Sequence, residues 1–484
     1  MALAAALRLG GDLAGNPGWY TDEGTHLDLV RHQLQGQVQY LAVGDSLLLF
    51  GRLPLFAWLL AGASRLAGLD ITTLRALTAG LGALTVAALG LGLAFGQRRR
   101  PGGASALAWL AAGALALAPS AVLYSRFGFS YNLLAPLVVI VLVGLWGYGE
   151  TRSRRWLAVA AAAVGLGLVS DLWAGVLLAP LAVIVLLRRP ADLAWSLALA
   201  GAPFALYAAF QWSTAPAAFA FDLNYTLARL NRIPLEQQLA TLADNVVQVA
   251  RQEPWLALGG LGLFALRPAA LRRAAGLLYG LPVLALGRTV ALYSLSTYYL
   301  IPLFPLAALG LGALIERGWD WAARWRPARA ALGVGALSAA VVALAVTVAQ
   351  LRQGFTTPLD PFLVRAAEAR AAADFVNAHS GADDLTLASP AVAWLLRGQV
   401  ADFQMAAAAA GRATPHLPAD LPAERFVFDP GFARARFVIV DDLWRNWAAV
   451  HVPEVDARLR DMDNWPTVFR AGAVVVAANP VRSP

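Results

Sequence analysis

Cysteine is absent from the 484 residues, and so is lysine, which leaves all 38 basic side chains as arginine. Without cysteine there is no disulfide framework, no thiolate nucleophile and no cysteine-ligated metal. Without lysine, any contact to phosphate falls to arginine, whose planar fork can hold two phosphate oxygens at once. Charge of either sign is scarce: 14% of residues are charged against 59% hydrophobic, and the mean hydropathy is +0.58. A soluble chain of this length needs far more polar surface to cover itself, so the composition indicates a polytopic membrane protein.

Apolar runs near residues 74–95, 104–123, 133–148, 156–170, 174–187, 193–211, 254–266, 274–287, 297–315 and 330–350 predict a spanning helix each. Some hold only 13 to 16 residues, so their ends are expected to extend into flanking residues or to tilt. Residues 1–350 carry 25 arginines against 15 acids, and 351–484 carry 13 against 15. Fifteen of the arginines fall in five short connectors, at 98–100, 152–155, 188–189, 267–273 and 317–329. Short loops rich in arginine stay cytoplasmic, so these mark the inner side and the alternate connectors face outward, with residues 12–73 and 351–484 also outside. The net charge of +8 therefore reflects membrane topology rather than nucleic-acid binding. The stretch before residue 10 is too short to cross a bilayer, which predicts a truncated start.

From about residue 355 the pattern becomes soluble: helices near 361–378 and 455–461, strands near 384–388 and 437–441, and a closing hairpin at 467–477 around Gly472. This predicts two parts, a transmembrane part over 1–350 and a small extracytoplasmic α/β domain over 351–484. The proline-rich stretch at 414–422 reads as a loop.

Titratable groups crowd the first outer segment, where Asp22 and Glu23 are followed by His26, Asp28, Arg31 and His32. One carboxylate can act as general base on an acceptor hydroxyl while its neighbour orients a partner or helps to hold a divalent cation. The structural alternative is that Thr21 caps a helix whose first turn takes two acids because the helix dipole favours them there. His26 lies four residues after Asp22, so the two share a helix face and are candidate metal ligands; a hydrogen-bonded pair accounts for that spacing equally. Arg52, Arg75, Arg126 and Arg288 stand at outer helix ends, where an anionic lipid headgroup would lie; snorkelling or structural ion pairing is the alternative. Tyr298 and Tyr299 open an outer helix end together with Pro302 and Pro305; they are candidate substrate-binding residues, with interfacial anchoring as the alternative.

Asp22-Glu23 in the first outer loop, Arg52-Leu53-Pro54-Leu55 followed by Trp58 and Gly68, Arg75 opening the next span, and Tyr298-Tyr299 with Pro302 and Pro305 come in an order that resembles GT-C membrane glycosyltransferases. The likeness is strongest to the protein O-mannosyltransferase and aminoarabinose transferase branch. It covers most of residues 15–315. The resemblance implies a polytopic helical fold of GT-C type with about ten or eleven transmembrane helices and a small C-terminal soluble α/β domain. It also implies inverting transfer of a sugar from a polyprenyl-phosphate donor to a lipid, glycan or protein acceptor at the outer face of the cytoplasmic membrane. Asp22 would then act on the acceptor with Glu23 in the same site, and Arg52 would meet the donor phosphate with Arg75 nearby. The sequence departs from the family's pattern at Tyr131-Asn132, where an acid is frequent, and at Ser170-Asp171, where a lysine is expected. A transporter of lipid or solute is the rival reading, but transporters gather ionisable groups near the bilayer midplane and show paired broken helices, neither of which is evident here.

Overall fold

A backbone in lipid must satisfy its polar groups within its own segment, and the described part of each of the ten apolar runs is mostly helical. The structure, a computed structural model, describes residues 1–97, 106–230, 234–288, 294–323, 326–462 and 464–482; the connector arginines Arg98 to Arg100 and Arg324 lie outside the described residues. In chain order the helices are α1 (Ala2–Leu9), α2 (Thr21–Leu34), α3 (Pro54–Ala67), α4 (Ile71–Gln97), α5 (Leu107–Leu117), α6 (Pro119–Ser125), α7 (Tyr131–Thr151) and α8 (Arg154–Leu168). They continue as α9 (Leu178–Arg188), α10 (Leu193–Thr214), α11 (Pro216–Leu230), α12 (Leu235–Gln252), α13 (Pro254–Gly262), α14 (Ala269–Gly287), α15 (Phe304–Ala322) and α16 (Arg326–Gln353).

Six segments among the described residues are long and apolar enough to cross a membrane, or seven if α5 and α6, bent by 62° at Pro119, count as one span. The chain is an integral membrane protein, and length and composition support fewer spans than the ten or eleven expected. The difference lies in the short helices: Pro254 sits in the first turn of α13 and fixes its start, and α8 stops after 15 residues. α7 is the central helix, packed against α4, α8 and α14, with 83% of its apolar window buried. α16 packs on the outside of the bundle, with 6% buried.

The segment between α1 and α4 builds a platform beside the bundle. α2 is followed by a two-stranded hairpin, β1 (Gln39–Tyr40) and β2 (Val43–Gly44), and by a 3-10 turn at Leu48–Phe50. Gly51 then takes a left-handed conformation (φ 65°), and Pro54 opens α3, so that Arg52 projects from a sharp corner between two elements. Asp28, fully buried on α2, ties this platform together: it accepts the N–H of Leu41 at 2.7 Å and pairs with Arg31 at 2.5 Å.

Beyond Gln353 the chain forms α17 (Ala366–His379), α18 (Pro390–Ala393), α19 (Phe403–Ala409) and a five-stranded sheet. Its strands are β3 (Leu385–Leu387), β4 (Gln399–Ala401), β5 (Ala435–Val440), β6 (Thr467–Ala471) and β7 (Val474–Ala478). The order is β4-β3-β5-β7-β6, with β3 parallel to both β4 and β5 and the hairpin β6-β7 added antiparallel, Phe437 opposite Ala478. The expected helix near 361 begins later, at Ala366, because residues 360–362 form a separate 3-10 turn. This sheet region docks on the platform. Gly24 of α2 lies so close to Pro390 that a β-carbon there would fall 1.7 Å from its carbonyl oxygen. Trp19 bridges to Val364 and packs on Trp394 with ring centres 5.5 Å apart. Arg31 donates to the carbonyls of Trp394 and Leu396 at 3.2 and 2.8 Å.

Candidate active site

The two adjacent acids of α2 face different surroundings. Glu23 is fully buried, and the guanidinium of Arg75 donates to both of its oxygens, Nε to Oε1 at 2.7 Å and Nη2 to Oε2 at 2.6 Å. The backbone N–H groups of Gly128 and Tyr20 complete the carboxylate at 2.9 and 3.0 Å. Tyr20, not Thr21, therefore holds the cap position, and the cap is supplied from inside the first turn by Glu23. The other N–H groups of Arg75 go to the carbonyls of Leu13, Pro17 and Gly18 at 2.6 to 3.0 Å. This buried, bidentate pair pins α2 and the preceding loop to α4; neither side chain reaches an open surface.

Asp22 and Arg52 are different. Arg52 Nη2 donates to Asp22 Oδ1 at 2.7 Å, with side-chain exposures of 18% and 25% that leave the pair accessible. Arg52 Nη1 stands 3.4 Å from His26 Nε2, and His26 packs edge-on against Phe56 at 4.7 Å. Burial, and then the Arg52 cation, hold the His26 pKa well below the ordinary imidazole value, so it stays neutral and its Nε2 accepts. Burial is the largest single influence on Arg52 and works against its charge, but Asp22, Tyr131 and Asp171 together outweigh it, and the guanidinium stays charged. Asp22 and His26, the candidate metal ligands, thus share a partner, and among the described residues no group of three or more histidines, aspartates or glutamates forms a metal site.

Asp171 joins the site from the connector after α8. Its segment bridges to Arg52, its side chain accepts from Ser130 Oγ and the Trp173 N–H, both at 2.9 Å, and burial raises its pKa while these two hydrogen bonds, and then Arg52, partly offset the rise. A wall of rings lines the same side. Tyr298 stacks on Phe129 at 4.7 Å, Tyr299 meets Tyr131 at 5.2 Å, and Tyr20 lies 5.8 Å from Phe129. Tyr20, Tyr131 and Tyr299 keep part of their surface open. Arg52 also lines a cavity of about 120 Å³, mostly apolar, between α3 and α10, with Leu53, Ala57, Trp58, Tyr207 and Phe210 in its walls.

Of the expected residues, Asp22, Arg52, Tyr298 and Tyr299 come together with His26, and Glu23 and Arg75 support them from behind. Arg126 is buried and spends its donors on the carbonyls of Arg8, Gly10, Asp12 and Asn16, where it folds the segment between α1 and α2. Arg288 is exposed at the end of α14 and makes none of the contacts described above. Asp171, Ser130, Tyr20 and Tyr131 are additions. Asp171 and Tyr131 occupy the two positions where the sequence departs from the family's pattern, which was the available signal.

No family model matches the sequence, and no curated protein matches it. Solved structures do: the aminoarabinose transferase ArnT from Cupriavidus metallidurans bound to undecaprenyl phosphate (TM-score 0.67, 17% identity, 100% of this chain and 98% of that one) and the same protein in the apo state (0.64, 17%, 100% and 97%). The oligosaccharyltransferase of Archaeoglobus fulgidus, solved with Zn and sulfate, follows at TM-score 0.54 and 13% identity, over 94% of this chain and 70% of that one. What is shared at these identities is the fold, and it is the GT-C fold of membrane glycosyltransferases.

Proposed function

We propose that the chain is a GT-C glycosyltransferase that moves a sugar from a polyprenyl-phosphate donor to a lipid, glycan or protein acceptor, with inversion. The observation that carries this reading is the Asp22–Arg52 pair: one carboxylate and one guanidinium at 2.7 Å, accessible, with Arg52 lining an apolar cavity and the Tyr131 and Tyr299 phenols close by. In the reaction the acceptor oxygen attacks the anomeric carbon, Asp22 takes its proton, and the bond to the phosphate oxygen breaks. The electron pair leaves with the polyprenyl phosphate. The growing negative charge is met by Arg52, which stabilises it more than it does the ground state. Arg52 is then a shared partner: as the phosphate engages its fork, Asp22 is released to act as base. Tyr131 and Tyr299 flank the sugar, Glu23 and Arg75 position α2, and neutral His26 orients Arg52.

The transmembrane part over residues 1–350 carries the catalytic site, and 351–484 form an extracytoplasmic α/β domain, in a protein of the cytoplasmic membrane. The arginine-rich inner connectors and the docking of the sheet region on the α2 platform support that orientation. The test is incubation of membranes containing the protein with a panel of radiolabelled polyprenyl-phosphate sugars. Consumption of one donor supports the reading and identifies the sugar; consumption of none by folded protein contradicts it.

A further inference from the structure

Arg425 follows the proline-rich loop, far in sequence from the site, and its side chain is 3% exposed. It pairs with Asp222 of α11, fully buried, Nη1 to Oδ1 at 2.7 Å. The same guanidinium donates to the carbonyls of Gly44 at 3.2 Å and Ser46 at 2.8 Å. Asp222 uses its second oxygen to accept the N–H of Leu49 at 3.0 Å. Next to this clasp the Val427 N–H bonds the Ala42 carbonyl at 2.9 Å. The segment held in this way is the one that ends in the Gly51 corner and presents Arg52, whose own N–H bonds the Leu47 carbonyl at 3.2 Å.

We infer that Arg425 is a positioning residue for Arg52, and that the C-terminal region thereby sets the geometry of the donor-phosphate site. The inference rests on the reading of Arg52 as the phosphate ligand. Between the end of β2 at Gly44 and the Gly51 corner the chain has no regular structure except the turn at Leu48–Phe50, so its conformation depends on outside anchors, and three of these (the Gly44 and Ser46 carbonyls and the Leu49 N–H) lead to one buried ion pair. Without the Arg425 guanidinium, Asp222 is an uncompensated buried charge, a situation the molecule relieves by opening there. α2, which carries Asp22, is held independently through Gly24 and Arg31, so the effect falls on Arg52 rather than on both members of the pair.

The experiment compares full-length native protein, Arg425→Met and Arg425→Lys in detergent by amide hydrogen exchange and by binding of polyprenyl phosphate. Lysine keeps the charge against Asp222 without the fork, so it provides a folded variant should the methionine form fail to fold. The expected result is exchange over 41–52 faster by roughly tenfold or more, unchanged exchange in β3, β5 and β7, polyprenyl phosphate binding weakened by a similar factor, and an unchanged KM for acceptor. Unchanged exchange over 41–52, or equal acceleration throughout the sheet, overturns the inference. Accelerated exchange confined to 41–52, in a protein whose native form binds no polyprenyl phosphate, supports the clasp and overturns the donor reading of Arg52 instead.

Discussion

Replacing Glu23 by glutamine, or Arg75 by methionine, should unfold the protein more easily without removing a reacting group. Both side chains are fully buried and bonded twice to each other. Removing one partner of such a pair costs about 3–5 kcal/mol, because the other charge is left buried. Arg75→Met also strips a donor from the carbonyls of Leu13, Pro17 and Gly18, and Glu23→Gln weakens the cap on Tyr20. Each single variant is therefore expected to lose about 3 kcal/mol or more, and the double variant less than the sum, since the two residues act on one contact. The assay is unfolding of detergent-solubilised protein followed by tryptophan fluorescence, paired with turnover at a temperature where every variant is folded. The folded fraction should turn over within about tenfold of native. A Glu23→Gln variant that melts like native protein and yet has no turnover refutes the reasoning and places Glu23 in the chemistry.

Gly24→Ala puts a β-carbon 1.7 Å from the Pro390 carbonyl oxygen, so α2 must separate from the C-terminal region. The expected cost is about 1–3 kcal/mol, seen as faster limited proteolysis after Gln353; an unchanged cleavage rate contradicts it. Asp402 and Asp441 are buried beyond β4 and β5, and burial raises both from 3.8 to about 6, against opposing hydrogen bonds that include Ser389 to Asp441. Between these values the folded state holds protons that the unfolded chain has released. Their stabilisation is thus complete below about pH 4 and is lost as pH rises through about 6, by up to roughly 3 kcal/mol for each. Asp441→Asn should flatten this fall relative to native protein in unfolding measured from pH 4 to 7; an equal slope in both proteins contradicts the assignment.

The apolar runs were legible as helices because lipid imposes a helix on almost any long uncharged stretch. The two adjacent acids stood out in the sequence as well, but their different partners did not. Neighbouring residues on a helix point about 100° apart, and only the tertiary structure decides that Glu23 meets Arg75 while Asp22 meets Arg52. Arg126 looked the same as Arg52 in sequence, yet it lies under four backbone carbonyls that no spacing reveals. β4 was missed because Gln399-Val400-Ala401 offers a single strand-forming residue, whereas the equally short β3 alternates as Leu-Thr-Leu, and Arg425 because nothing in a proline-rich stretch marks a side chain that reaches across to α11.

Central to the account is that Asp22 and Arg52 divide the work, one on the acceptor proton and one on the donor phosphate. The direct measurement is polyprenyl phosphate binding and sugar transfer by Asp22→Asn and Arg52→Gln, each compared with native protein. The account predicts that Asp22→Asn binds the lipid phosphate at least as well as native protein but transfers no sugar, and that Arg52→Gln loses binding. Transfer at the native rate by Asp22→Asn would contradict it.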